Sequence, residues 1–435
     1  MEKYLTLLLF VLFLSGNIKA QWYQQNSGAT VDLLSVFFIN ENSGWVCGDS
    51  GKIIKTTNGG LDWVEQNSNT IEVLKAIQFV DQDNGWAYGS NQILQTTNGG
   101  SDWSLQQIPP PAYIITLQFI DLNTGWMLYQ VSDTISVIRK TVDGGGTWTI
   151  QYQSSNEHYG AMFFLNANYG WISTLPENPI FPGGGVLKTT DGGDAWNFNN
   201  ADFFGPPMCI KFVDQMTGWI SHNQVLQSPF CAISKSTDSG VTWDMQSGAG
   251  LRFIYSISFP STNIGYAAGL QWFLPPTSGE GLILRTTNGG TDWSEQFKDD
   301  GELKSIFFIN DTVGWAVGNG GKILVTLNGG VSSVGEEENQ TNPNDFLLYQ
   351  NYPNPFNPST SIQYAIRSRQ FVTLKVYDIL GNEIATLVNE EKPAGEYEVT
   401  FDSHSGKVRN LTSGIYFYQL KAGSYIGTKK MILIK

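Results

Sequence analysis

The stretch Thr56-Thr-Asn-Gly-Gly-Leu-Asp-Trp63 (TTNGGLDW) decides the fold, because the chain repeats it at regular intervals. Its glycines supply the positive φ that a tight hairpin requires, and its asparagine can bond its own turn. The tryptophan anchors the returning strand through a large buried area. The further copies are TTNGGSDW (96–103), TVDGGGTW (141–148), TTDGGDAW (189–196), STDSGVTW (236–243), TTNGGTDW (286–293) and a shortened TLNGG (326–330). Such repetition predicts a repeat architecture, with structural turn residues at Asn58, Asn98, Asp143, Asp191, Asp238 and Asn288.

A second marker, a glycine followed by an aromatic residue, lies between successive turns. It occurs at Gly44-Trp45, Gly85-Trp86, Gly125-Trp126, Gly170-Trp171, Gly218-Trp219, Gly265-Tyr266 and Gly314-Trp315, and a phenylalanine stands six positions before each glycine. Each unit therefore contains four short strands, and the markers recur every 40 to 49 residues. This pattern is typical of one blade of a β-propeller, and it predicts seven blades over residues 21–330.

The two ends of the repeat array complement each other. The seventh turn has no tryptophan strand after it, whereas Trp22-Tyr-Gln-Gln-Asn26 stands alone before the first unit. That segment is similar to Trp63-Val-Glu-Gln-Asn67, the fourth strand of the first unit. We therefore predict that residues 22–26 complete the last blade, which closes the ring and removes two exposed sheet edges.

The remaining segments predict export and a second domain. Residues 1–20 combine Lys3, an apolar run and a small residue before Gln21, which is typical of a signal peptide. Residues 331–345 are polar and acidic, as in a linker. Residues 346–435 contain about seven alternating strands, which predict a small Ig-like β-sandwich. The predicted fold class is all-β, with a seven-bladed β-propeller followed by this sandwich.

Both domains resemble known families. The repeated turns match the Asp-box, or bacterial neuraminidase repeat, and with the glycine-aromatic pairs the propeller resembles photosystem II assembly and stability factor-like proteins. The segments YPNPFNPST (352–360), VYDILGNEI (376–384), SGIYFYQL (413–420) and KKMILIK (429–435) resemble the type A C-terminal sorting domain of the type IX secretion system. This second resemblance implies that the secretion machinery is a partner of residues 346–435, and that the protein reaches the outer cell surface or the medium. A photosynthetic role is not implied, because the sorting domain indicates another destination. Cleavage of the sorting domain stays open.

Charge and residue types narrow the chemistry. Residues 21–330 contain 13 Lys and Arg against 27 Asp and Glu, so the propeller lacks the basic stripe that nucleic acids require. The three histidines, His158, His222 and His404, show no metal-ligand spacing, and we predict neither a metal nor a cofactor. The three cysteines are interpreted as free packing residues. No other apolar run is long enough to span a membrane.

An enzyme is the alternative from another class. The resemblance to sialidases, which share the Asp-box, implies a clamp of three arginines around a carboxylate. The propeller has only Arg139, Arg252 and Arg285, and two of these lie in the strand beside the structural turn, at a position interpreted as solvated. We therefore predict no catalysis, with a sialidase-like glycoside hydrolase and a structural surface protein without a ligand as alternatives.

A binding face is the favoured functional hypothesis. Blades three to six carry long insertions on the face opposite the Asp-boxes, and long loops on a rigid scaffold commonly carry function. Aromatic side chains there are predicted to stack on a glycan or to anchor a protein. The candidates are Trp272, Phe273, Phe181, Phe230, Tyr113, Tyr159, Phe203 and Phe204. In the alternative, these rings pack beneath their own loops.

Overall fold

A computed structural model describes most of the chain from Trp22 onwards. The described residues are 22–106, 108, 113–132, 135–155, 158–175, 183–203, 206–223, 231–246, 252–271, 279–331, 346–379, 381–403, 411–423 and 425–434. The predicted signal peptide and nearly all of the predicted linker lie outside them. The chain divides into two compact units, with the boundary between positions 332 and 333.

The first unit consists of seven antiparallel sheets, each with four strands in the described part of the chain. The strands of blades 1, 2 and 3 are, respectively, Leu33–Phe38, Gly44–Gly48, Ile53–Thr56 and Val64–Gln66; Ala76–Phe79, Gly85–Tyr88, Ile93–Thr96 and Ser104–Gln106; and Tyr113–Phe119, Gly125–Ser132, Ile135–Thr141 and Thr149–Ser155. Those of blades 4 and 5 are Tyr159–Phe164, Gly170–Thr174, Gly183–Thr189 and Asn197–Phe203, and Pro207–Phe212, Gly218–Asn223, Cys231–Ser236 and Asp244–Met245. Those of blades 6 and 7 are Arg252–Ser258, Gly265–Gln271, Glu280–Thr286 and Ser294–Asp300, and Leu303–Phe308, Gly314–Gly318, Ile323–Thr326 and Tyr23–Gln25. First strands of neighbouring blades contact one another, so they surround the centre of the ring.

Helical structure is minimal in the described residues. It consists of two single-turn 3-10 segments, Asp49–Gly51 and Asn319–Gly321, which join the second and third strands of blades 1 and 7. None of the helices found in these ranges has the length and apolar character needed to cross a bilayer.

The ring closes through its first strand, as predicted. Tyr23–Gln25 pairs antiparallel with the third strand of blade 7, with Gln24 opposite Leu324. Blade 7 therefore combines three strands from the end of the repeat array with one from its beginning. The structure confirms the seven-bladed architecture.

The same stack of aromatic rings joins every pair of neighbouring blades. The phenylalanine at the end of each first strand lies flat on the aromatic residue of the glycine-aromatic pair in the preceding blade, with ring centroids 3.4 to 3.8 Å apart. The glycine is required because this ring also covers its own blade: a Cβ at Gly44 would lie 2.4 Å from the Phe38 ring. The fourth-strand tryptophan meets the same ring edge-on, as Trp63 meets Phe38 at 6.0 Å.

Hydrogen bonds reinforce the stack at most of the junctions. The indole Nε1 of Trp45 donates to the Gly99 carbonyl, in the Asp-box of the next blade, at 3.0 Å. Trp126, Trp171, Trp219 and Trp315 make the corresponding bond to the next box at 2.9 to 3.3 Å. The last of these, to Gly59, crosses the closure between blades 7 and 1. The boxes therefore hold adjacent blades together as well as turning the chain.

The second unit is a β-sandwich. One sheet contains Leu347–Leu348, Ser359–Ile366 and Gly395–Asp402, and the other contains Glu383–Lys392, Gln370–Tyr377, Gly414–Ala422 and Tyr425–Leu433. Their inner faces form one apolar core that includes Tyr364, Val376 and Tyr418. The Tyr418 hydroxyl accepts the Asn351 N–H and donates to the Tyr349 carbonyl, both at 2.7 Å. These bonds fix the proline-rich segment at the start of the domain.

Candidate binding face of the propeller

The Asp-box side chains hold the turns on one face of the ring. In the first box, the Thr56 hydroxyl accepts the Gly60 N–H at 2.8 Å and the Asn58 side chain accepts the Asp62 N–H at 3.0 Å. In the third box, hydrogen bonds from the Thr147 backbone, the Thr147 hydroxyl and Thr141 lower the pKa of Asp143 to about 2. The Thr56, Asn58 and Asp143 side chains are thus engaged within their own turns.

The opposite face carries the connections between second and third strands and those between successive blades; we call it the loop face. Five of the predicted binding residues, Trp272, Phe273, Phe181, Phe230 and Phe204, lie outside the described residues. The other three lie in strands that begin or end at the loop face: Tyr113 and Tyr159 begin first strands, and Phe203 ends a fourth strand.

Tyr159 is buried, with 4% of its surface exposed, and packs among Met162, Phe164 and Leu187. The alternative of internal packing holds for this side chain. The sequence contains the signal that identifies it: Tyr159 lies five positions before the phenylalanine of its blade. In the other blades this position is occupied by Leu33, Leu74, Ile114, Pro207, Ile254 and Leu303, all buried.

Phe203 is also buried, with 2% exposure, and lies 5.2 Å from the His222 ring and 6.0 Å from the Trp243 ring of blade 5. A register shift between Gly183 and Gly185 causes this orientation. An extra residue in a strand changes the face to which the following side chains point. Phe203 therefore packs between blades, and here too the packing alternative holds.

Tyr113 is the one of these three that reaches solvent, with 53% of its surface exposed. The Lys75 Nζ lies 3.8 Å from the centroid of its ring and donates to the Ile114 carbonyl at 2.9 Å. Hydrogen bonding and charge from Lys75 lower the pKa of the Tyr113 phenol. The pair thus combines an aromatic surface with a fixed cation between blades 2 and 3.

Sequence reasoning missed Lys75, although its position in the repeat identifies it. It lies four residues before the phenylalanine of blade 2, immediately before the first strand of that blade, and Lys304 is its counterpart in blade 7. Lys304 forms an ion pair with Glu302. Lys75 forms no ion pair with any described residue. In the described ranges, therefore, no carboxylate pairs with its charge.

Two arginines of the propeller, predicted at a solvated position, make hydrogen bonds within their blades. Arg139 Nε donates to the Tyr129 hydroxyl at 2.8 Å, and its Nη1 donates to the Trp148 carbonyl at 3.1 Å. Arg285 donates to the Tyr266 hydroxyl at 3.2 Å. Both side chains are half-buried rather than simply solvated, because they bridge strands of their blades. The Arg252 side chain lies outside the described part of the structure.

Other reactive groups are few in the described ranges. No cluster of three His, Cys, Asp or Glu side chains there has the geometry to hold a metal. Cys47 and Cys209 are free thiols; burial raises the pKa of Cys47, and its Sγ contacts the Leu74 carbonyl oxygen at 3.4 Å. Cys209 is half-buried. The Cys231 side chain is not among those that the structure describes.

Comparison with solved structures shows the propeller fold. YCF48 bound to a D1 peptide is 19% identical, with a TM-score of 0.56 over 72% of this chain and 97% of that one. YCF48 from Cyanidioschyzon merolae is 20% identical, with a TM-score of 0.55 over 70% and 98%. The GH74 xyloglucanase from Xanthomonas campestris is 11% identical, with a TM-score of 0.53 over 94% and 75%. No curated protein matches the chain significantly.

Two family profiles match separate parts of the sequence. Residues 15–112 match the photosynthesis system II assembly factor YCF48 family, and residues 350–435 match the secretion system C-terminal sorting domain. The sorting domain implies handling by the type IX secretion machinery and delivery to the cell surface or beyond. The chain is therefore a β-propeller with repeats similar to those of the YCF48 family, and it carries a type IX secretion system C-terminal sorting domain.

Proposed function

We propose that the protein is an exported, non-enzymatic binding module that takes a protein or glycan ligand on the loop face of its propeller. The observation that carries the proposal is the exposed Tyr113 ring with the Lys75 ammonium beside it. An aromatic ring offers a large contact area at little entropic cost, and a lysine can bind a carboxylate or a hydroxyl of the ligand.

The distribution of polar contacts supports the loop face over the box face. Thr56 and Asn58 of the first box bond within their own turn, and the Gly99 carbonyl of the second box accepts the Trp45 N–H of the preceding blade. YCF48, which has the same fold, has been solved with a peptide bound. An extended peptide with an acidic group would match the Tyr113 and Lys75 pair, and it is the first ligand class to test.

The engaged arginines count against a sialidase-like enzyme. Arg139 and Arg285 are held by tyrosine hydroxyls within their blades, so neither is free to clamp a substrate carboxylate. Export through an outer membrane also suits a binding protein whose ligand lies outside the cell.

Arrays of bacterial surface proteins, peptides and glycans, probed with the purified protein, test the proposal. We expect a ligand whose binding weakens about tenfold in Tyr113→Ala, the effect of losing one aromatic anchor. Leu122→Ala is the matched control, because Leu122 is similarly exposed but lies in the turn after the first strand of blade 3, on the box face. Equal loss in both variants, no ligand on any array, or turnover of a fluorogenic sialoside would contradict the proposal.

A further inference from the structure

The two outer faces of the sorting domain differ in polarity. On the three-stranded sheet, Ser361 lies opposite Thr400 and Gln363 lies opposite Glu398. The side chains that alternate with these, such as Ile362 and Tyr364, point into the core. This outer face is therefore polar, as expected where an antiparallel sheet meets water.

The four-stranded sheet has apolar side chains at both ends of its outer face. At one end, Phe371 and Ile426 lie on either side of Lys421, whereas at the other end the apolar side chains are contiguous. Tyr377 lies opposite Phe417, and Ile415 lies opposite Ile432 on the next strand. We call these four residues the terminal apolar patch. They alternate with core residues, and cross-strand neighbours on one face lie within contact distance. Ile415 is 43% exposed and the other three are partly exposed.

Core packing does not explain this patch. The middle of the same outer face carries Lys375, Gln419 and Thr428, so polar residues satisfy the sheet there equally well. Apolar side chains at the end of the face add nothing to the sandwich interior and reduce solubility. A contiguous exposed apolar patch of this kind usually marks an interaction site.

The charge of the domain indicates the character of the partner. Residues 346–435 contain ten Lys and Arg against seven Asp and Glu, whereas the propeller carries a net charge of −14. Lys430, which lies opposite Phe417, is exposed beside the patch. A partner with an apolar surface bordered by carboxylates would therefore bind here and would be repelled by the acidic propeller.

We propose that the terminal apolar patch, with Lys430 at its border, is the surface through which a component of the type IX secretion machinery binds this protein. The choice of partner follows from the match of residues 350–435 to the sorting domain, because that segment contains every strand of the patch. Sorting requires that a partner distinguishes this domain from other folded sandwiches. The inference does not depend on which ligand the propeller binds.

Export of the full-length precursor in a bacterium with a type IX system tests this surface. The measurement is the ratio of protein at the surface and in the medium to protein retained in the periplasm. We expect Phe417→Thr and Ile415→Thr each to lower that ratio about tenfold, as for a central interface anchor, and Phe417→Leu to restore most of it. Threonine keeps the strand propensity of the site.

The matched control is Phe371→Thr. Phe371 lies on the same outer face but at the other end of the sheet, and it is 56% exposed, so its loss removes a comparable aromatic surface. We expect normal export of this variant. Normal export of Phe417→Thr, or equal loss with Phe371→Thr, overturns the proposal.

Lys430→Glu tests whether misfolding, rather than loss of the surface, causes retention in the periplasm. This variant reverses the border charge without removing apolar area, and we expect it to be retained in the periplasm with an unchanged melting temperature. Normal export of Lys430→Glu, or retention of the threonine variants only in an unfolded, protease-sensitive form, contradicts the proposal.

Discussion

Trp22 meets the ring of Phe308 edge-on, with centroids 5.8 Å apart and an interplanar angle of 82°. It thus occupies in blade 7 the position that Trp63 occupies in blade 1, where the same contact with Phe38 is 6.0 Å long. The Trp22 indole, from the beginning of the propeller, thus completes the series of aromatic contacts in blade 7. The pairing of Gln24 with Leu324 completes the sheet of the same blade.

Trp22→Ala is therefore expected to destabilise the propeller by about 3 to 5 kcal/mol, the usual cost of truncating a large buried side chain. Chemical denaturation followed by tryptophan fluorescence measures the change. Gln24→Ala, at an exposed position two residues later, is the control and should change stability by about 0.5 kcal/mol or less. Equal stability of the Trp22 variant and the parent would show that the Trp22 side chain contributes nothing to closing the ring.

The interblade hydrogen bonds predict a difference between two otherwise similar tryptophans. Trp171 and Trp86 are both fully buried and stacked on a phenylalanine, at 3.7 and 3.8 Å. Trp171 Nε1 donates to the Ser239 carbonyl at 2.9 Å, whereas Trp86 Nε1 has no hydrogen-bond partner among the described residues. Trp171→Phe should thus cost about 1 to 3 kcal/mol more than Trp86→Phe, because it leaves a buried carbonyl unpaired. Equilibrium unfolding of both variants tests this, and equal losses would refute it.

The box carboxylates predict acid sensitivity. The pKa of Asp143 in the folded protein is about 2, below its value in the unfolded chain. Its contribution to stability is therefore present above the unfolded pKa and is lost as the pH falls through the folded pKa. Asp143→Asn should flatten the fall in melting temperature between about pH 5 and pH 2, since asparagine serves at the corresponding position in four other boxes. An unchanged pH profile would mean that the carboxylate is not coupled to folding.

The cation beside Tyr113 predicts a shift in phenol ionisation. Lys75 lowers the pKa of Tyr113, so Lys75→Met should raise it towards the ordinary tyrosine value of about 10. NMR titration of 13C-labelled tyrosine measures the change, with Tyr113→Phe to assign the resonance. Lys304→Met, at the corresponding position in blade 7, should leave it in place. A shift in both lysine variants would point to a general charge effect.

The sequence predicts the ring well because each repeated residue has one structural role that depends on its local surroundings. The box glycines allow the turn, and the glycine of each glycine-aromatic pair leaves room for a phenylalanine ring. Closure by Trp22 follows from counting strands, since an incomplete last blade and a lone first strand complement each other.

The candidate site is predicted less completely, because side-chain direction depends on register and on the repeat column. Tyr159 occupies a buried apolar column that only a comparison of all seven first strands reveals. Phe203 follows an irregularity in pairing that no local pattern indicates. Lys75 can be predicted as a site residue only if its contact with Tyr113, 38 residues later in the chain, is already known.

Closure by the first strand also sets the order of events during biogenesis. Tyr23–Gln25 leaves the ribosome early, yet its partner strand follows almost 300 residues later. Such a distant pairing is slow to form, because a long loop must close before the contact is gained. Until translation reaches Ile323–Thr326, the nascent chain lacks the strand with which Tyr23–Gln25 pairs. The propeller therefore cannot close its ring until almost the whole repeat array has been synthesised.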